Sequence, residues 1–319
     1  MRDLLPGPWL DHLERLGPFG VRLPSDPVSE LLRLAVPHED VGGVLAETPR
    51  PGTETWWLLE RCVHSLVATM GELDDPPSFP PLPAAFGRYF YVHVFLAAAE
   101  HVRAFHRSRG IADDVSWRTL TDVGRNMAVH RRKHGSGGVD TPHWLMLHFR
   151  GVLYDLGRLQ FQRARLGTRT GRAVAAAGLP CVPGDPVLAA HIPAFLGPLT
   201  PSACDAALAR AADFFPRHFP EERPLVVVCH SWLLDEQLAE YLPEGSNIVR
   251  FQRRFRQAYK AEHDGDVIGF VFGAEAAELP RRTVLERAID DHLRAGRTWH
   301  GTAGWLVLPR GEGAAASSG

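Results

Sequence analysis

Two histidines stand at the ends of two apolar runs, where an open α/β sheet gathers its chemistry. His191 lies at the end of the run that begins at Val187, and His230 near the end of PLVVVCHS, residues 224–231. Ligands collect outside the carboxyl ends of such strands. A neutral imidazole there can take a proton near neutral pH without a large pKa shift. Ser231 can donate its hydroxyl hydrogen to a developing anion or a leaving thiolate. Cys229 raises a second chemistry, a thiol nucleophile. Adjacent strand residues point to opposite faces, so Cys229 cannot pair with His230; His191, from the next strand, is the base such a thiol would need.

The segment between the two runs suits a phosphate. The apolar run from Val187 to Ile192 is bounded by Pro186 and Pro193, and a Gly- and Pro-bearing loop, residues 194–199, follows. Thr200 is then placed as an N-cap, with Pro201 at the first helical position. Strand, glycine loop and helix start bring free N–H groups together with the positive end of a helix dipole. Further polar candidates are Arg158 and Gln160, read as sharing the polar face of a half-exposed strand in which Leu159 and Phe161 form the other face. Trp232, just after a buried strand, is a further candidate to line the site.

These residues need elements to hold them. The first part of the chain reads helical: residues 52–70, 86–109 and a third helix capped by Ser116 and running to Gly135, with the proline-rich connector 74–83 between the first two. The basic group Arg131, Arg132, Lys133 and His134 reads as compensation of a helix dipole. Ser136–Gly138 reads as a hinge, which gives a helical domain over 1–138, a second domain over 139–310 and a disordered tail over 311–319. In the second domain the pattern predicts a loop over 167–185 and strands at 187–192, 225–231, 248–255, 267–272 and 299–308. Helices are expected at 202–215, 235–242 and 281–295, and Ser246-Asn247 reads as a turn. Strands alternating with helices predict an α/β (α+β) class with a mixed sheet.

Composition excludes several function classes. Lys plus Arg number 35 against 37 Asp plus Glu, a net charge of −2, which gives no electrostatic reason to expect a nucleic-acid partner. No apolar run reaches the roughly 20 residues of a membrane span. The opening MRDLLPGPWLDHLERL does not read as a signal peptide, and the four scattered cysteines suit a reducing compartment, so a cytoplasmic location is expected. No metal is expected, because His143, His148, His191 and His230 show neither HxxxH nor CxxC spacing.

The blocks WLMLHFRGVLYDLGRLQFQ, HIPAFLGPLTPSACDAALARAADFF, CHSWLLDEQL and SNIVRFQRRF resemble a family of acyltransferase-domain proteins. Its members join a helical N-acyltransferase N-terminal domain to a C-terminal domain similar to the GNAT fold, and the likeness extends over roughly residues 20–310. The resemblance implies an acyl-CoA or acetyl-CoA co-substrate and direct transfer to the amine of a small molecule or peptide. It also implies a strand at 187–193 that parts from its neighbour beyond Ile192 to admit the pantetheine arm. Ile192, Ala194, Leu196, Gly197, Leu199 and Thr200 would then hold the cofactor. The superfamily's glycine-rich phosphate loop is represented by Gly197 alone. Two alternatives are a binding or scaffold protein on a degenerate GNAT-type fold, and transfer through a Cys229 acyl-enzyme.

Overall fold

The computed structural model describes residues 4–261, 265–272 and 279–309. The chain forms two compact units, Met1–Asp155 and Leu156–Gly319. The 311–319 tail lies outside the described residues.

The first unit is helical: α1 (Gly7–Arg15), α2 (Pro27–Arg33), α3 (His38–Ala46), α4 (Glu54–Ala68), α5 (Phe90–Ser108), α6 (Asp113–Leu120), α7 (Asp122–His134) and α8 (Pro142–Phe149), then the short strand β1 (Leu153–Asp155). In α4 the buried Leu58, Leu59, Cys62, Val63 and Leu66 recur at helical spacing, and Thr53 caps it by accepting the Trp56 N–H at 3.1 Å. The proline connector carries neither helix nor strand over 75–83 and is pinned. Phe79 is buried and stacks on Tyr91 at 5.4 Å, while Arg150, itself buried, donates to Asp75 and to the Glu72 and Asp74 carbonyls.

Two expectations change here. The third helix is two helices, α6 and α7, and Ser116 does not cap: it lies inside α6 with its Oγ 2.8 Å from His106 Nδ1. Residues 142–149, read as part of the second domain, form α8 and bury Leu145, Met146 and Phe149 in the first unit's core.

The second unit contains β2 (Gln160–Arg165), α9 (Thr168–Ala176), β3 (Pro186–His191), α10 (Pro201–His218), β4 (Val226–Ser231), α11 (Asn247–Gln252), β5 (Arg256–Lys260), α12 (Gly265–Phe272), α13 (Val284–Arg294) and β6 (Thr302–Val307). Its strands lie in the order β2-β3-β4-β6-β5, with β3 and β4 parallel and the other pairs antiparallel. The β3–α10–β4 crossover is the expected βαβ unit. Helix α9 covers one face through Val174, against Val187, Val226 and Trp305. Helix α10 covers the other, where Phe215 meets Phe161 edge-on at 6.5 Å.

Three expected assignments are overturned. The 167–185 loop contains α9, whose buried Thr170, Gly171 and Val174 fall one turn apart. The 248–255 strand is α11, capped by Ser246 through the Val249 N–H at 3.3 Å; its alternating arginines imitated period two over too short a window. The 267–272 strand is α12, an apolar run too short for periodicity to separate helix from strand. Strand β2 is covered rather than half-exposed: Gln160 is fully buried, and Arg158 precedes the strand. Among the described residues no helix is long and apolar enough to cross a membrane.

Candidate active site

The parallel pair β3–β4 parts early. Its register couples only Leu188 with Val227 and Ala189 with Val228. Beyond that point β3 continues along β2 as far as His191, opposite Gln160, and β4 continues along β6 as far as Ser231, opposite Thr302. Each strand keeps its outer neighbour to its end, while the ladder between β3 and β4 stops after Ala189 and Val228. The parting begins after Ala189, earlier than the expected point beyond Ile192. Between Ala190–His191 and Cys229–Ser231 the two strands no longer share a ladder register.

Register also fixes the faces. Residues paired across the sheet project to one side, so Gln160, Gln162, Ala189 and His191 share a face, and Val228 and His230 join it through the Ala189–Val228 pairing. The two histidines thus flank the gap on the α9 side. His191 Nε2–H donates to Gln162 Oε1 at 3.0 Å, which orients the ring and leaves Nδ1 as the basic nitrogen. His230 is exposed, with Tyr259 as its ring neighbour at 6.2 Å, and the Arg169 guanidinium of α9 lies 3.8 Å from the Tyr259 ring. Sequence patterning singled out neither Tyr259 nor Arg169, because only the fold brings them to His230.

Cys229 projects to the opposite face from His191. It is enclosed, and burial pushes its thiol up to about 12. That denies the thiol both its base and its thiolate form, so nothing here supports an acyl-enzyme through Cys229. Ser231 Oγ accepts the Leu233 N–H at 3.1 Å, which leaves its own O–H to donate. Trp232 opens the turn after β4 and packs beside Leu238, Val249, Ile289 and Trp299, as a core residue does.

The start of α10 is built as read. Thr200 caps it, taking the Ala203 N–H at 3.3 Å, and Pro201 follows. Ahead of it Ile192 and Leu196 are half-buried, Ala194 and Gly197 exposed and Leu199 buried; Gly197 sits at φ +77 with open space about it. Arg158 Nη1 donates to the Pro193 carbonyl at 3.1 Å, and burial lowers its pKa. Arg254, placed by the turn after α11, donates to the Pro201 carbonyl at 3.0 Å and pairs with Asp205. Both guanidinium groups act on the buried Cys204, whose thiol is nevertheless raised by burial. Two cations thus stand beside the N-terminus of α10, and Gly197 is the one glycine in residues 192–200.

Comparison with known proteins agrees with this layout. The N-acyltransferase N-terminal domain family matches residues 26–151, and the family described as GNAT-like C-terminal domain matches residues 153–306. A crystal structure of an acyltransferase in complex with CoA and 10C-teicoplanin is 43% identical, with 95% of each chain covered and a TM-score of 0.84. Another, of an acyltransferase with decanoyl-CoA and teicoplanin, is 44% identical over the same shares with a TM-score of 0.85. A third, with octanoyl-CoA, is 43% identical over the same shares, also with a TM-score of 0.85. A search of curated proteins finds no match. The chain belongs to the acyltransferases that join an N-acyltransferase N-terminal domain to a GNAT-like C-terminal domain.

Proposed function

We propose that this protein transfers an acyl group from acyl-CoA directly to the amine of a small acceptor of the teicoplanin type. The observation that carries the reading is the parting of β3 from β4 after Ala189, with His191 and His230 on one side of it. A pantetheine arm can pair with the opened strand edges as an added strand does. The pyrophosphate would then meet the α10 N-terminus, Thr200 and Gly197, with Arg158 and Arg254 as counter-charges. Relatives this similar, solved with CoA, octanoyl-CoA, decanoyl-CoA and teicoplanin, favour an acyl chain of eight to ten carbons and an acceptor like teicoplanin.

In the transfer, the acceptor nitrogen attacks the thioester carbonyl, the C–S bond breaks and CoA leaves as its thiol. His191 Nδ1 takes the proton from the attacking nitrogen, with Gln162 holding the ring. Ser231 O–H can serve the departing sulfur. The test is thermal stability with a panel of acyl-CoAs. Acetyl-, octanoyl- and decanoyl-CoA should raise Tm with a concentration dependence set by affinity, and the longer chains should act at lower concentration. A flat response across the panel would overturn the reading in favour of a non-catalytic binding protein.

A further inference from the structure

Outside the transferase site, the C-terminal end of α7 carries His130 and His134 four residues apart, and Asp140 follows across a short loop. The HxxxH spacing was hidden in the sequence by its content: HRRKH reads as a run of basic charge. In the fold each of the three side chains offers one ligand atom, and these lie within 4.8 Å of one another. His134 Nε2 is 2.8 Å from Asp140 Oδ2, and His130 Nε2 is 3.5 Å from Oδ1. Ligand atoms on a tetrahedral zinc with bonds of about 2.0–2.1 Å sit roughly 3.3 Å apart, and each imidazole nitrogen stands at a distance of that order from one or other oxygen of Asp140.

Two features hold the first ligand in place. His130 Nδ1–H donates to the Ser136 carbonyl at 2.8 Å, which fixes the tautomer and turns the Nε2 lone pair toward Asp140. The ring rests against Gly138, at φ +151, where a Cβ would come within 2.7 Å of His130 Cε1 and Nε2. A side chain at that position would have to displace the imidazole and adopt a backbone conformation that favours glycine. The C-terminal end of a helix also favours a cation. Lys133 Nζ, 3.7 Å from Asp140, is the competing charge, while the neighbouring Arg131 is engaged by Asp40.

We propose that His130, His134 and Asp140 form a binding site for a divalent ion of the zinc type, with water in the fourth position. Two imidazoles and a carboxylate suit zinc or cobalt better than calcium or magnesium. The ion would clip the end of α7 to the segment that leads into α8.

The full-length protein, stripped with a chelator, should bind Zn2+ one to one by calorimetry, and Co2+ with the visible absorption of a low-coordinate site. His134→Ala and Asp140→Asn, both at exposed positions, should each weaken Zn2+ binding by at least the roughly 10–100-fold typical of lost supporting partners. His130→Ala should do the same if it folds. Lys133→Ala should tighten binding, and His143→Ala, outside the cluster, should leave it unchanged. Absence of one-to-one binding for both metals, or binding that survives His134→Ala and Asp140→Asn undiminished, would overturn the site.

Discussion

At the residue scale, the roles of two neighbours on paired strands are decided by which way they face. His191 projects beside Gln162 and His230 on the α9 side, whereas Cys229 projects into the interior with its thiol held protonated. His191→Ala should lower kcat by about 10²–10⁴-fold, the usual worth of a general base. The Kd for acyl-CoA, measured by calorimetry, should stay near that of the parent protein, and Cys229→Ala should keep turnover. Undiminished kcat in His191→Ala would remove it as the base and pass the role to His230. Both histidines and the thiol were legible in the sequence as candidates at strand ends. The opposite facing of Cys229 and His230 was legible too, but that His191 shares the face of His230 was not, since it depends on register between segments far apart in the chain.

At the element scale, the β3–α10–β4 unit does the positioning. It was legible because each of its signals is local: prolines bounding an apolar run, a Thr-Pro helix start, a continuous valine strand. Helices α11 and α12 were misread because each is about two turns long, so alternation or bulk in a few residues outweighed a 3.6 period, and α9 was misread because its segment is small, polar and rich in glycine. The N-cap gives a test that separates structure from binding. Thr200→Ala removes the acceptor of the Ala203 N–H and should cost about 1 kcal/mol, a fall in Tm of roughly 2–4 °C for a chain of this size. Thr200→Asp keeps the cap, because aspartate is among the best N-cap residues, but sets a carboxylate where the pyrophosphate is proposed to lie. It should hold Tm near the parent value while weakening acyl-CoA binding at least tenfold. Parent-like affinity in Thr200→Asp would move the phosphate away from this helix.

At the scale of the whole molecule, the balance of charge says little, and the buried histidines of the first unit say more. His93 and His106 lie wholly inside the helical core, and burial lowers both to about 4. For His106 the nearby Arg103 adds to the same effect. An imidazole in the unfolded chain titrates near 6.5, so the unfolded state binds the extra protons first as pH falls. The stability these residues confer is therefore complete above about 6.5 and is lost progressively from there toward 4. Fully developed, the difference is worth roughly 3 kcal/mol for each residue. Between pH 7 and pH 5 the Tm should fall by on the order of 10 °C, before the carboxylates begin to titrate. His93→Leu, which fills the same space without a titrating group, should flatten that slope while leaving the fold intact by far-ultraviolet circular dichroism. A Tm that is level from pH 7 to pH 5 in the parent protein would mean that these rings reach water or a partner before they charge.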